Sequence, residues 1–230
     1  MTTDHRSAET GQPEQVGGVR GWVLRSGLER ALALQHPLVA GHIAAVRRKH
    51  PEATPADVIA TLGRQYRIAV AMTGGAGGAL AILPALGTVA SLATAGAEAF
   101  AALDAAALYT LAVAEVHALP TEDAERRRAL VLGVVVGQGG QAAVEKVTGR
   151  SRDWAQEVTD HLPLAVLGPL NNGLTRWFLK RFIVRQGVLA MGRALPLGIG
   201  LVIGALGNLA TARAVIASAA RAFGPPPAQW

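Results

Sequence analysis

The chain has 230 residues, half of them hydrophobic, with only 17% charged and 4% aromatic, so its core must be built mainly from alanine, leucine, valine and glycine. It contains no cysteine, which excludes structural disulfides, thiolate metal sites and cysteine nucleophiles. The net charge of +6 is one-sided. No acid follows Asp160, whereas Arg176, Lys180, Arg181, Arg185, Arg193, Arg213 and Arg221 do, and a basic segment that is also apolar favours an anionic membrane surface over nucleic acid.

Residues 1–18 are polar, carry both signs of charge and lack an apolar centre, so they read as a disordered arm and not as a secretory signal. The expected location is the cytoplasmic side of the cell membrane, with the cytoplasm as the alternative. Residues 19–224 read as one α-helical domain, and 225–230 as an extended Pro-rich tail. A first helix spans Val19 to Gln35, and His36-Pro37 interrupts it. A second ends in Arg47, Arg48 and Lys49, cations suited to the negative end of its dipole.

Thr54-Pro55-Ala56-Asp57 is a helix start, with a capping hydroxyl, a proline in the first turn and an acid near the positive end. This helix carries Val58, Ile59, Leu62, Tyr66 and Val70 into a charge-free run, Ile68 to Ala97. Within the run Gly74 to Gly78 is too glycine-rich for a stable exposed helix, Pro84 breaks the chain, and Gly87-Thr88 turns it. From Val89 to Leu119 one long helix is apolar on almost every side, which makes it central. Leu119-Pro120 ends it, Thr121-Glu122-Asp123 starts the next, and Gly137-Gln138-Gly139-Gly140 breaks that one.

Residues 145–161 are polar and read as two short surface helices. Leu162-Pro163 opens a short apolar stretch that Asn171-Asn172-Gly173 closes, and a helix from Leu174 to about Met191 follows. The last apolar run, Ala194 to Ala212, lies between Arg193 and Arg213. It has the length to enter or cross a bilayer, but Pro196 bends it and its glycines dilute it. No segment alternates with period two. The fold class is therefore all-α, a compact multi-helix bundle with two Gly/Pro-broken apolar hairpin regions.

Three constellations carry the functional expectations. Small residues four apart, as in Gly74 and Gly78, Gly133 and Gly137, or Gly200 and Gly204, let another backbone approach closely, in lipid or in an alanine-rich soluble core. Pro84, Gly87, Pro196, Gly198 and Asn208 belong to the same hairpin set, and close packing of Ala194–Ala212 against the Ile68–Ala97 region is expected. In the helix after Gly173, Phe178, Leu179, Phe182 and Ile183 share one face. Arg176, Lys180, Arg181 and Arg185 share the other with Trp177, as in an interfacial helix or an ordinary amphipathic surface helix. Glu98 stands among small apolar residues and requires a partner or a proton, and Arg193 or Arg213 is available to pair with it. The functional reading is a proton or ion site, and the structural one is a buried pair that fixes helix register.

The remaining chemical signals fail. Gly198-Ile199-Gly200 has no preceding strand and no downstream acid, the histidines form no ligand pair at helical spacing, and Ser91, Ser151 and Ser218 lack a nucleophile-elbow context. No catalytic residue, metal or cofactor is expected, and the small-molecule ligand is left open.

The passage from Gly192-Arg193-Ala194-Leu195-Pro196 through Gly204 and Gly207-Asn208 to Ala219-Ala220-Arg221-Ala222-Phe223-Gly224-Pro225 resembles the carboxy-terminal signature of the EcsC family. Gly77-Gly78, Leu83-Pro84, Gly87-Thr88 and Ala95-Gly96-Ala97-Glu98 resemble that family's first hydrophobic block, and with Asp123 to Arg128 the similarity covers roughly residues 55–224. That family takes its name from a protein encoded beside an ABC-type exporter, and the resemblance implies a membrane-linked protein and assigns no catalytic residue. The expected function is thus a non-enzymatic membrane-associated protein, accessory to a transporter or an envelope process, with an anionic membrane surface or a membrane protein as partner. The alternatives are a soluble helical interaction module and a small-ligand or ion-handling protein using Glu98.

Overall fold

The computed structural model describes the backbone of residues 36–80, 88–193 and 199–230, and the side chains of 39–72, 101–180 and 207–230. Every regular element among the described residues is helical. In chain order these are α1 (His36–Lys49), α2 (Pro55–Leu80), α3 (Thr88–Val116), α4 (Ala124–Val135), α5 (Gln138–Thr148), a short α6 (Trp154–Gln156) prolonged by a π-turn (Glu157–His161), α7 (Leu164–Arg193) and α8 (Ile199–Phe223). The all-α expectation holds. The Val19–Gln35 helix, the 1–18 arm, and Pro84, Gly87, Pro196 and Gly198 lie outside the described residues.

Thr54 caps α2 as its sequence requires. Its hydroxyl donates to Asp57 Oδ2 at 2.7 Å and accepts from the Asp57 amide at 3.2 Å, while its own amide donates to Asp57 Oδ2 at 3.0 Å. These bonds hold the Asp57 carboxyl below its ordinary pKa. Val58, Leu62, Tyr66 and Val70 then recur every four residues, all buried, and form the stripe that α2 turns inward as it packs along α3 and α8. That packing explains one departure from expectation. The helix continues through Gly74–Gly78 to Leu80, because a helix held by two neighbours does not depend on the weak propensity of its glycines.

Helix α3 is central as expected, with Ala106, Ala107, Leu111 to Ala114 and Val116 buried around much of its circumference. It ends in a Schellman motif. Leu119 N–H donates to Ala114 O and Ala118 N–H to Glu115 O, both at 3.0 Å, and this places Ala118 at φ 54°, a left-handed conformation that glycine adopts without steric cost. Ala118→Gly is expected to raise stability by about 1 kcal/mol, read as a shift in the denaturant midpoint at unchanged slope.

The core extends beyond α3. Asp123 caps α4 by accepting from Arg126 N–H at 2.9 Å, and the six residues Ala129 to Val134 are all buried, so α4 is a second central helix, packed on α3, α5, α7 and α8. The break after α4 is narrower than expected. Gly137 alone takes the turn, at φ 73°, and Gln138, Gly139 and Gly140 already belong to α5.

Two further expectations are corrected. The 145–161 segment is not confined to the surface, because Trp154, Ala155, Val158 and Thr159 are buried and Trp154 is the largest fully buried side chain among the described residues. Asn171-Asn172-Gly173 does not end a helix, because α7 runs unbroken from Leu164 to Arg193. Asn171 Nδ2 donates to the Glu125 carbonyl at 2.9 Å and to Glu125 Oε2 at 2.7 Å, so its side chain joins α7 to α4 instead of competing for its own backbone. Pro169 is tolerated because both it and Ala165, whose carbonyl loses its helical donor, face solvent.

The closing residues are anchored. Past the turn at Gly224, Trp230 Nε1 donates to Ala53 O at 3.0 Å, and the Arg47 guanidinium lies 4.1 Å from the Trp230 ring centroid.

Candidate membrane-facing end and arginine-flanked cleft

Two pairs set the register of α2 on α8. Asn208 Nδ2 donates to Val70 O at 3.5 Å, and a Cβ on Gly63 would lie 3.7 Å from Ile216 Cδ1. The helices are therefore antiparallel, and the contact expected between the two apolar runs is present. This register brings Arg67 level with Arg213. Beyond that level α2 carries no charge to its end at Leu80, and α8 carries none back to its start at Ile199. The charge-free ends are each about 20 Å long, shorter than the roughly 30 Å hydrocarbon thickness of a bilayer but enough to enter one leaflet.

Along the outer face of α2, Arg64, Ile68 and Met72 follow one another at one-turn spacing, with Ile68 55% and Met72 70% exposed. Two large apolar side chains are thus left in solvent just past the arginine level. Among the described residues no helix is long and apolar enough to cross a membrane.

The other expected site residues are distributed as follows. Arg176 and Lys180 are exposed on α7, and Trp177 is 41% exposed with its indole covering Gly139 of α5, whose added Cβ would lie 2.5 Å from Trp177 Cζ2. Phe178 is partly buried against the core. Arg181, Phe182 and Arg185 continue along α7, and Gly74, Gly78, Gly200 and Gly204 lie within α2 and α8, with their side-chain surroundings outside the described residues. The same holds for Glu98 and Arg193, so their pairing is not described. Gly133 and Gly137 do not form a shared packing face: Gly133 makes room for the Trp154 ring, and Gly137 supplies a turn.

The arginines opening α4 are structural clamps. Arg126 donates to the carbonyls of Val158 (2.9 Å) and Thr159, Arg127 to those of Thr121 (2.7 Å) and Glu122 (3.1 Å), and Arg128 to Thr175 Oγ1 at 3.0 Å. Each is partly buried and ties α4 to a different segment.

Between α2, α3 and α8 lies a cleft of about 420 Å³. Arg67 and Arg213 flank it, and its walls include Ile59, Val113, Ile216 and Ala220. Tyr109, stacked on Tyr66 with ring centroids 5.0 Å apart, is almost buried, and that burial pushes its phenol up to about 12. His117, tilted against Phe223 at 5.5 Å, has its pKa lowered by burial and is neutral at pH 7. Protonating it therefore works against the fold as the pH falls below the ordinary imidazole range. Of the polar residues of the cleft, only Arg213 carries a positive expectation from the sequence, as a partner for Glu98. The available signal was positional: Arg67 is the last charge before one apolar run, and Arg213 the first after the other.

The fold defines a class, an all-helical protein in which the uncharged ends of α2 and α8 lie side by side past Arg67 and Arg213, next to an α3 that carries Asp104 and Glu98. Comparison with protein-family models, curated proteins and solved structures yields no match to the chain.

Proposed function

We propose that this is a non-enzymatic, membrane-associated helical protein that docks its α2/α8 end into the near leaflet of an anionic bilayer, in the service of a transporter or an envelope process. One observation carries the reading: Arg67 and Arg213 stand level, α2 and α8 carry no charge beyond them, and Ile68 and Met72 are exposed beside them, while the acids past that level, Asp104 and Glu98, belong to α3. Cations at the headgroup level pair with lipid phosphates while the apolar ends leave water, and each buried large side chain contributes about 1.5–3 kcal/mol. The exposed Arg176, Trp177 and Lys180 on α7 supply further basic-aromatic surface of interfacial character. The resemblance to the EcsC family points the same way.

The test is the paired substitution Ile68→Gln and Met72→Gln. Both positions are exposed, so folding is expected to change by no more than about 0.5 kcal/mol per site. Partitioning onto anionic vesicles is expected to fall by on the order of tenfold or more. Unchanged partitioning of a folded double variant would remove this face from the reading.

A further inference from the structure

The cleft between α2, α3 and α8 has a polar end and an apolar body. Arg67 and Arg213 stand at the same level on facing helices, both exposed, and neither makes a hydrogen bond or ion pair among the described residues. The Tyr109 hydroxyl likewise has no hydrogen-bond partner there, and burial keeps it protonated, so it remains a donor. From Arg67 the cleft follows α2 back to Ile59, two turns or about 12 Å, over Val113, Ile216, Ala217 and Ala220. Its far lining includes His117, Phe223 and Pro226.

No acidic side chain lines it. Two unpaired guanidiniums over an apolar floor leave a site whose electrostatic complement is an anion and whose shape complement is a hydrocarbon chain. Its volume of about 420 Å³ lies within the usual range for small-ligand sites, about 300–1,000 Å³. A free inorganic anion leaves the apolar body unfilled, and an uncharged chain leaves both arginines without a partner.

We infer that this cleft binds a single-chain anionic amphiphile, its carboxylate or phosphate held between Arg67 and Arg213 and its alkyl chain lying over Val113 and Ile216 toward His117. The guanidinium forks supply charge-assisted, bidentate hydrogen bonds to the head, and the neutral His117 at the far end allows an apolar terminus to approach without burying a cation. The inference concerns a ligand inside the bundle and does not depend on membrane docking.

The experiment is calorimetric titration of the full chain, without vesicles, with decanoate and decyl phosphate kept below their micelle concentrations. Decanol, decyltrimethylammonium and inorganic phosphate are run alongside. Saturable one-to-one binding of decanoate or decyl phosphate is expected, at least tenfold tighter than any of the three controls, and the stronger of the two identifies the preferred head. Arg213→Gln is expected to weaken binding by tenfold or more. Ala220→Trp, at an exposed position on the wall, fills the cleft and is expected to abolish binding while vesicle partitioning stays at the wild-type level. Equal binding of the anionic and cationic chains, no saturable binding of either anionic chain, or wild-type affinity in the folded Ala220→Trp variant would each overturn the inference. Vesicle partitioning of the same variant reads the membrane proposal separately, so the two fail independently.

Discussion

Trp154→Ala is expected to be the most damaging single truncation in the described core, lowering stability by about 3–5 kcal/mol and Tm by roughly 10 °C or more. The indole is fully buried and fills a space that Gly133 leaves open, since a Cβ on Gly133 would come within 2.7 Å of its Cη2. Around it Val158 and the buried half of α4 leave little freedom to collapse into a vacancy of that size. The indole N–H is buried without a hydrogen-bond partner among the described residues, so removing it costs no bond. Trp154→Phe is therefore expected to recover most of the loss. Thermal and denaturant unfolding of the two variants checks this. A Phe variant as unstable as the Ala variant would show that the N–H has a partner after all.

Gly140→Ala is expected to destabilise by about 1–3 kcal/mol or more, the opposite of what helix propensity alone implies. A Cβ at this position would lie 2.7 Å from the Gly133 carbonyl oxygen and 3.0 Å from Val136 Cβ, and a backbone carbonyl cannot swing aside. The contact joins α5 to α4 on either side of the Gly137 turn, and widening it disturbs both that turn and Gly133, against which Trp154 packs. Gly173→Ala, within α7 and with nothing inside 4 Å of its Cβ, is expected to stabilise by about 0.5–1 kcal/mol. Unfolding midpoints of the two variants should therefore move in opposite directions. Gly139→Ala separates the mechanisms further, because the atoms nearest its Cβ belong to the Trp177 ring, a side chain 41% exposed, and not to backbone.

Local signals determined much of this fold. Thr54 and Asp57 built the cap their spacing announced, Asp123 capped α4, and the four-residue stripe from Val58 to Val70 faced inward. Where the local signals mislead, tertiary contacts overrule a local preference. Glycines at 74–78 sit in a helix because α3 and α8 lie against it, and Asn171 sits inside α7 because its amide is occupied by Glu125. The burial of Trp154 was legible in principle, since Trp154, Ala155, Val158 and Thr159 recur at helical spacing, but the surrounding charges masked the stripe. The cleft was not legible. Arg67, Tyr109 and Arg213 come from three helices and His117 from the turn after α3, and only the antiparallel register of α2 on α8 brings the two arginines level.

That register is also the basis of the membrane proposal, because it sets the uncharged ends of α2 and α8 side by side past Arg67 and Arg213. The most direct measurement is flotation of the full chain with vesicles of phosphatidylcholine alone or mixed with phosphatidylglycerol, at low and at high salt. The charge-free ends and the arginine level predict flotation with the anionic vesicles, a large reduction on the zwitterionic ones, and a fraction at high salt held by apolar insertion. A chain that stays unbound with both vesicle types and runs as a monodisperse, detergent-free monomer would contradict the proposal.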